Sequence, residues 1–412
     1  MTQRGRYFGA SVARKEDDRL LRGRGRFLDD LRISPETLHL AFVRSPYAHA
    51  RIVGIDKAAA AASPGVVAVL TGKDIAGWVK PMSAPTRDAL PPLVRDMIAR
   101  DTVRFAGESV AVVAAVTPYL AEDAAELVEV DYDPLPTVVT IAEALAAHAP
   151  RVHADLPDNV VFHASHRHGA PDEAFASADH VVSDVFSSAR LAAVPMEMRG
   201  FIADYDRGRD TLTLHCGTQL PHWHQFLVAE LLGLPEARVR IVCPDVGGGF
   251  GMKAHVYCEE VVGAAIARHY DRPVKWTQDR PDDLATSTQA RDYRFEVALA
   301  FGADGVIRGL RADIVVNIGA YATTTTTSGM EAGGAGVFMI GPYKLAHYAY
   351  EARSVVSNKA PVGVYRGVAM PICTLAVETL IERAAATIGI DPIEFRRRNF
   401  VRPEDLPYVN AI

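Results

Sequence analysis

Short valine-rich runs set the pattern of the first third of the chain. "VVAVLTG" (66–72) and "SVAVVAAV" (109–116) are uninterrupted apolar stretches bounded by turn residues, which predicts buried strands. Gly107 and Glu108 make a turn before the second run. "TPYLAEDAAELVEV" follows it. Thr117 suits a helix cap, Pro118 the first helical position, and Leu120, Ala124, Leu127 and Val128 one apolar face. "DYDPLP" then stops the helix, because proline cannot continue it. From about 142 to 172 the chain is rich in Ala, His, Pro and Asp without a clear period, which predicts a linker.

Beyond that stretch strands and helices alternate. "DTLTLHC" (210–216) and "RVRIVCP" (238–244) read as strands, "PHWHQFLVAELLG" (221–233) and "AHVYCEEVVGAAIARHY" (254–270) as helices. Val256, Val261, Ala265 and Ile266 line one face of the second helix. "GADG" in 297–321 predicts a hairpin turn. The threonine run 323–327 reads as β or loop surface, and 374–390 as a helix. The last residues, 391–412, trail off in prolines. The chain thus mixes helices and strands, with no internal repeat.

With 412 residues, 49% of them hydrophobic, two or three domains with proper cores are expected. A net charge of −6 offers no footprint for nucleic acid or an anionic membrane. No apolar run reaches the roughly 20 residues of a membrane span, and the N-terminus lacks the apolar core of a signal peptide, so a cytoplasmic location is expected. Cys216, Cys243, Cys258 and Cys373 lie far apart without Cys-x-x-Cys spacing. They read as reduced, mostly buried thiols and not as a zinc or iron–sulfur site.

The densest chemistry lies in "PDVGGGFGMKAH" (244–255), where Gly247–Gly251 holds four glycines and Phe250. Three readings are open. One is a tight turn with bulge glycines. Another is a dinucleotide fingerprint, since Gly249, Gly251 and Ala254 satisfy G-x-G-x-x-A, with Asp279 as the acidic partner; Pro244 and Asp245, which interrupt the preceding strand, oppose it. A P-loop is excluded by Met252 before Lys253. In the third, glycines let the backbone approach a bound group closely.

The third reading draws on the rest of the chain. "VGGGFGMK" resembles the glycine loop of the molybdenum-binding subunit of the xanthine oxidase family, which includes aldehyde oxidases and carbon monoxide dehydrogenase. "RKEDDRLLRGRGRFLDDL", "VRSPYAHARI", "VRFAGESVAVVAA", "AVPMEMRGFIADYD", "CGTQLPH", "DIVVNIGAY", "PVGVYRG" and "IGIDPIEFRRRNF" match in the family's order, over essentially the whole chain. The resemblance implies an α+β fold: an α/β-hammerhead domain in 1–145, then the first part of a molybdenum-cofactor-binding domain in 146–412. It implies that Gly248, Gly249, Phe250 and Gly251 approach a molybdopterin-type cofactor, expected in its cytosine dinucleotide form. Gln219 matches the glutamine that donates to an apical molybdenum ligand, and Arg366 the arginine near cofactor and substrate; these two are the catalytic candidates. The metal is expected on pterin sulfurs, with no protein ligand. His222 and His224, two apart at a helix start, project differently and are not expected to bind metal.

The family's cofactor domain continues further and carries the general-base glutamate, which is absent from this chain. The resemblance therefore implies an N-terminal half, naturally split as in nicotinate dehydrogenase or else truncated. The expected partners are the second half, an iron–sulfur subunit and a flavin subunit with FAD. Met198 replaces a proline of the family's "MEPRG", and "VAMPI" after "YRG" alters the pocket wall around Val368 and Ile372. Gly367 stands where carbon monoxide dehydrogenase has its copper-bridging cysteine. Ala254 stands where purine-oxidising relatives have a glutamate, and Gly334 near where they have an arginine. The expected activity is hydroxylation of an aldehyde or a simple N-heteroaromatic carbon with water as the oxygen source. A non-catalytic assembly subunit or a truncated homologue that binds no cofactor is the alternative.

Overall fold

A computed structural model of the chain describes residues 7–323 and 327–412. Its backbone is a seven-stranded sheet and a five-stranded sheet, with smaller three- and two-stranded sheets beside them. The seven-stranded sheet runs, edge to edge, through Val239–Val242, Thr211–Cys216, Gly200–Asp206, Val274–Thr277, Leu38–Arg44, Ser109–Ala115 and Val66–Thr71. It thus joins early and late segments of the chain. The join is a parallel pairing of Leu38 with Val274 and His39 with Lys275.

Burial explains the apolar runs. Every residue of Ser109–Ala115 is buried, because the strand is covered on both faces. Val112 and Ala114 enter the core beneath helices Pro221–Leu232 and Cys258–Tyr270. Ala111 and Val113 face Ala124 of the helix Pro118–Ala125 on the other side. That helix is capped as read: the Thr117 hydroxyl accepts from the Leu120 amide at 3.2 Å. Its buried positions are Ala121 and Ala124; Leu127 falls beyond its end and is 46% exposed.

The five-stranded sheet is ordered His180–Leu191, Ala290–Phe301, Ile307–Gly319, Tyr348–Val356, Val160–His168. The hairpin turning at 302–305 is observed, with Gly305 at φ +74°. Helices Thr327–Phe338 and Met370–Ile388 contribute to this sheet's core. Two expectations are corrected here. The stretch 142–172 is no linker: it contains the strand Val160–His168, an edge strand paired with Tyr348–Val356, and the start of the short helix Pro171–Ala176. The strand's inner positions beyond Phe162 are Ala164 and His166, so polar His163, Ser165 and Arg167 do not alternate with large apolar residues and the period of two is blurred. The C-terminal stretch also holds a helix, Pro392–Asn399, whose first amides are capped by Asp391. The threonine run lies partly outside the described residues; Thr323 is buried and Thr327 opens a helix. Among the described residues no helix is long and apolar enough to cross a membrane.

The seven-stranded sheet is tied to helices Cys258–Tyr270 and Arg280–Thr286 by ions as well as by packing. Arg44, on a strand of the first sheet, donates to Glu259 and Asp282, both at 2.8 Å. Burial pushes the Glu259 carboxyl up, but Arg199 and Arg44 outweigh it and hold the group at about 2. An ionised pair survives here because each carboxylate oxygen has a cationic donor.

Candidate functional site

The glycine loop leaves the strand Val239–Val242 at the edge of the seven-stranded sheet and is anchored at both ends. Arg19 grips both oxygens of Asp245, Nη2 to Oδ1 at 2.6 Å, and the Arg26 amide donates to Oδ2 at 2.7 Å. Those donors hold the Asp245 carboxyl at about 2. Two residues on, the Gly247 amide donates to Glu197 Oε2 at 2.8 Å, and Lys253 Nζ donates to the same oxygen at 2.7 Å. Lys253 is 3% exposed; burial pushes its ammonium down and Glu197 offsets part of that. A buried ammonium is tolerated because a carboxylate meets it.

Between the anchors the glycines are required by contact and by φ. A Cβ on Gly249 would lie 2.5 Å from Gln219 Oε1, and one on Gly251 would lie 2.5 Å from the Val364 carbonyl oxygen. Gly248 and Gly251 also have φ of +98° and +104°. Phe250 takes φ +55° although it has a Cβ, and its ring is 45% exposed. The short 3₁₀ turn Met252–Ala254 follows, and the helix begins only at Cys258. This overturns the dinucleotide reading, because no helix N-terminus meets the loop. Asp279 caps the helix Arg280–Thr286 through the Asp282 amide, at 2.7 Å. The loop's amides turn instead to protein partners and to one open face.

Gln219, Phe250 and Arg366 meet on that face. The Gly251 amide donates to Gln219 Oε1 at 2.8 Å, and the Gln219 amide donates to the Lys253 carbonyl at 3.0 Å. The Arg366 amide donates to the Phe250 carbonyl at 2.8 Å. Two backbone–backbone bonds and one amide to side-chain bond thus link three residues from separate stretches of the sequence. All three side chains are exposed. Because its oxygen is occupied by Gly251, the Gln219 side chain keeps an NH₂ donor with no protein acceptor among the described residues.

The arginine loop is braced from below. His255 Nε2 accepts from the Val364 amide at 2.8 Å, and burial pushes the imidazole down to about 4, so it is neutral at pH 7. Arg291 donates to the carbonyls of Val368 and Arg366, the latter at 3.2 Å. Glu197, Lys253, His255 and Arg291 were not singled out from the sequence. Only the charged residue inside "MEMRG" hinted at the first. The others are paired with segments remote in the chain.

His222 is exposed, whereas His224 is buried. The Thr218 hydroxyl bonds His224 Nδ1 at 2.8 Å, and Nε2 faces Glu260 at 3.5 Å. Cys216 lies in the same buried cluster, the three ligand-type atoms within 4.8 Å of one another. Glu260 also caps its own helix through the Tyr257 amide at 3.0 Å, so two members of the cluster have protein partners. All four cysteines are free; Cys216, Cys258 and Cys373 are buried and Cys243 is exposed.

Comparison with known proteins identifies this architecture. Residues 22–136 match the aldehyde oxidase and xanthine dehydrogenase a/b hammerhead domain, and residues 152–400 match the molybdopterin cofactor-binding domain. The chain belongs to the molybdopterin cofactor-binding family of xanthine dehydrogenases and aldehyde oxidases. It is 39% identical over 406 residues to the nicotine 6-hydroxylase large subunit of Paenarthrobacter nicotinovorans, covering 98% of this chain and 49% of that protein. It is 30% identical to the nicotinate dehydrogenase large molybdopterin subunit of Eubacterium barkeri, covering 89% of this chain and 83% of that one. The solved structure of quinoline 2-oxidoreductase from Pseudomonas putida 86 superposes with a TM-score of 0.93 at 41% identity, over 98% of this chain and 51% of that one. The chain thus spans about half the length of most curated relatives it matches. Within that family it carries the hammerhead domain and a molybdopterin cofactor-binding domain.

The loop's geometry fits a group of that kind. Its glycines let the loop pack tightly on Gln219 and the Val364 carbonyl, and one neutral NH₂ donor of Gln219 is left without a protein acceptor among the described residues beside it. A neutral donor stabilises oxygen-centred negative charge without adding a titrating group.

Proposed function

We propose that Gly248, Gly249, Phe250 and Gly251 form the wall against which the molybdopterin-type cofactor, in its cytosine dinucleotide form, is held. Gln219 donates toward the metal's oxygen ligand and Arg366 holds the substrate side. The reading rests on one observation: the Gly251 amide occupies Gln219 Oε1 and so commits the remaining NH₂ to the open face shared with Phe250 and Arg366. When bound, the cofactor supplies a redox centre that accepts two electrons from a substrate carbon. Phe250 excludes water from one side of that face, and the Arg366 guanidinium, which stays charged at all working pH, orients polar or anionic groups.

The assembled enzyme hydroxylates an N-heteroaromatic carbon or an aldehyde, with water as the oxygen source. Gly367 has no ligand atom for a second metal, and Ala254 cannot bond a purine edge. A polar purine edge left unpaired in a buried site costs about 1–3 kcal/mol per group. Residues 1–145 serve as the hammerhead domain and 146–412 as the first part of the cofactor domain. The other half of that domain supplies the general base, and iron–sulfur and FAD subunits carry the electrons away in the cytoplasm. Exposed apolar side chains beside the site favour such cover: Met196 is 91% exposed, and Leu220 and Met370 are each 47% exposed.

The test is a substrate panel on the assembled complex with an artificial electron acceptor, run for the wild type and Gln219→Ala. Turnover of quinoline, nicotine or an aldehyde, lost in the variant with its molybdenum retained, is the expected result. Xanthine or carbon monoxide as best substrate overturns the substrate class. A variant as active as wild type overturns the role of Gln219, and no molybdenum in the wild-type complex favours an assembly-only subunit.

A further inference from the structure

Arg291 is an expensive residue to place where it is. It is 6% exposed, and among the described residues no carboxylate lies within salt-bridge distance of it. Its guanidinium is spent on two backbone carbonyls, those of Arg366 and Val368. Burying a cation against neutral acceptors costs more than burying an apolar side chain of the same volume. A loop that only had to turn could do so with glycine alone.

The loop in question is strained. Gly367 has φ +89°, and Val368, a β-branched residue, has φ +52°. Such a conformation persists only when its surroundings over-determine it. On the amide side of the loop, Val364 and Arg366 donate to His255 and to the Phe250 carbonyl. On the carbonyl side Arg291 is the side chain that grips it. Arg291 and Asp292 themselves take φ of +77° and +72°. Asp292 is pinned by Arg190 at 3.1 Å and Lys359 at 2.9 Å, which fixes the backbone that aims Arg291. The Tyr365 ring centroid lies 5.5 Å from the guanidinium carbon, closing the remaining side. In the same buried shell Tyr293 donates to Glu331, whose second oxygen has no partner among the described residues. Burial pushes the Glu331 carboxyl up to about 7, and the nearby Arg291 charge pulls it down.

We infer that Arg291 is a positioning residue: its fork holds the strained Arg366–Val368 backbone so that the Arg366 guanidinium stands at the substrate face. This deepens, and rests on, the proposed role of Arg366. A fork spanning two carbonyls fixes both the height and the tilt of the loop, which a single ammonium cannot do.

The experiment uses the assembled, molybdenum-loaded complex with quinoline, nicotine and benzaldehyde as probe substrates. Arg291→Met, Arg291→Lys, Arg366→Ala and the Arg291→Met/Arg366→Ala double variant are compared by kcat and KM, and by hydrogen–deuterium exchange of peptides covering 363–370. Arg291→Met is expected to lower kcat/KM on the order of 10²-fold, as displacement of a positioned group by about 1 Å does, and to speed exchange in 363–370. Arg291→Lys restores part of both. The double variant is no slower than Arg366→Ala, because the two act through one group. Wild-type rate and exchange in Arg291→Met overturn the inference, as do losses that multiply in the double variant. If Arg366→Ala alone keeps wild-type rates with every probe, the reading of Arg366 falls instead. The exchange data then still decide whether Arg291 holds the loop.

Discussion

The two sides of the glycine loop obey opposite rules. Toward the protein, Gly247, half-buried Glu197 and buried Lys253 form an anchor in which one carboxylate oxygen serves both a backbone amide and an ammonium. Toward the open face, Gln219, Phe250 and Arg366 are exposed and joined by main-chain bonds and by the Gly251 amide on the Gln219 side chain. On the anchored side chemistry is consumed in holding the chain; on the other it is left unspent. A loop that must meet a bound group with its backbone has to obtain its rigidity from behind.

Substitutions should separate the two sides, and the largest effect belongs to the anchor. Lys253→Met leaves Glu197 half-buried without its ammonium and is expected to destabilise the assembled protein by about 3–5 kcal/mol. Denaturant unfolding checks it, and a loss below 1 kcal/mol would mean that the pair holds nothing.

Next comes His255, which bridges the anchor and the arginine loop. Its folded pKa of about 4 lies below the ordinary 6.5, so the fold favours the neutral ring. Stability from this group is complete above pH 6.5 and declines as pH falls toward 4, by about 3 kcal/mol in all. Wild type and His255→Asn unfolded across that window give the comparison: the variant should lose this slope. An identical slope in both would assign the acid sensitivity to other groups.

Gly249→Ala tests the junction itself. The new methyl meets the Gln219 amide at 2.5 Å, so that flexible side chain must move. A stability loss of about 1–3 kcal/mol with a larger loss of activity is expected, from unfolding and turnover measured on one preparation. The smallest structural effect belongs to the open face. Gln219→Ala and Arg366→Ala should change stability by no more than about 0.5 kcal/mol, while turnover falls on the order of 10²-fold. Were either to unfold the protein, the face would be part of the scaffold.

The same division explains what was readable from the chain. Thr117, Pro118 and Gly107 did what local chemistry dictates, and the apolar run at Ser109–Ala115 announced its two covered faces. Gln219, Phe250 and Arg366 were found through motifs, and the fold brings them together. Glu197, His255 and Arg291 stayed hidden, since each gains its meaning from a partner on a remote segment. The strand Val160–His168 was missed because its inner face carries Ala164 and His166 where a regular alternation would have large apolar residues. The helix Cys258–Tyr270 was read as amphipathic, but ten of its residues are buried; its position between sheet and helices is a tertiary fact.

The pairing of Leu38 and His39 with Val274 and Lys275 has a consequence for anyone dividing this protein. Those two rungs are where the early strands meet the late ones, and the core around Leu38, Phe201 and Val274 runs straight across them. A cut made at the boundary between the matched regions would turn two interior strands into bare edges and lay open the apolar floor beneath. The severed pieces would be sticky templates, prone to pair with each other's copies before finding their proper neighbours. The two regions are matched as separate domains, but in folding they share a single spine.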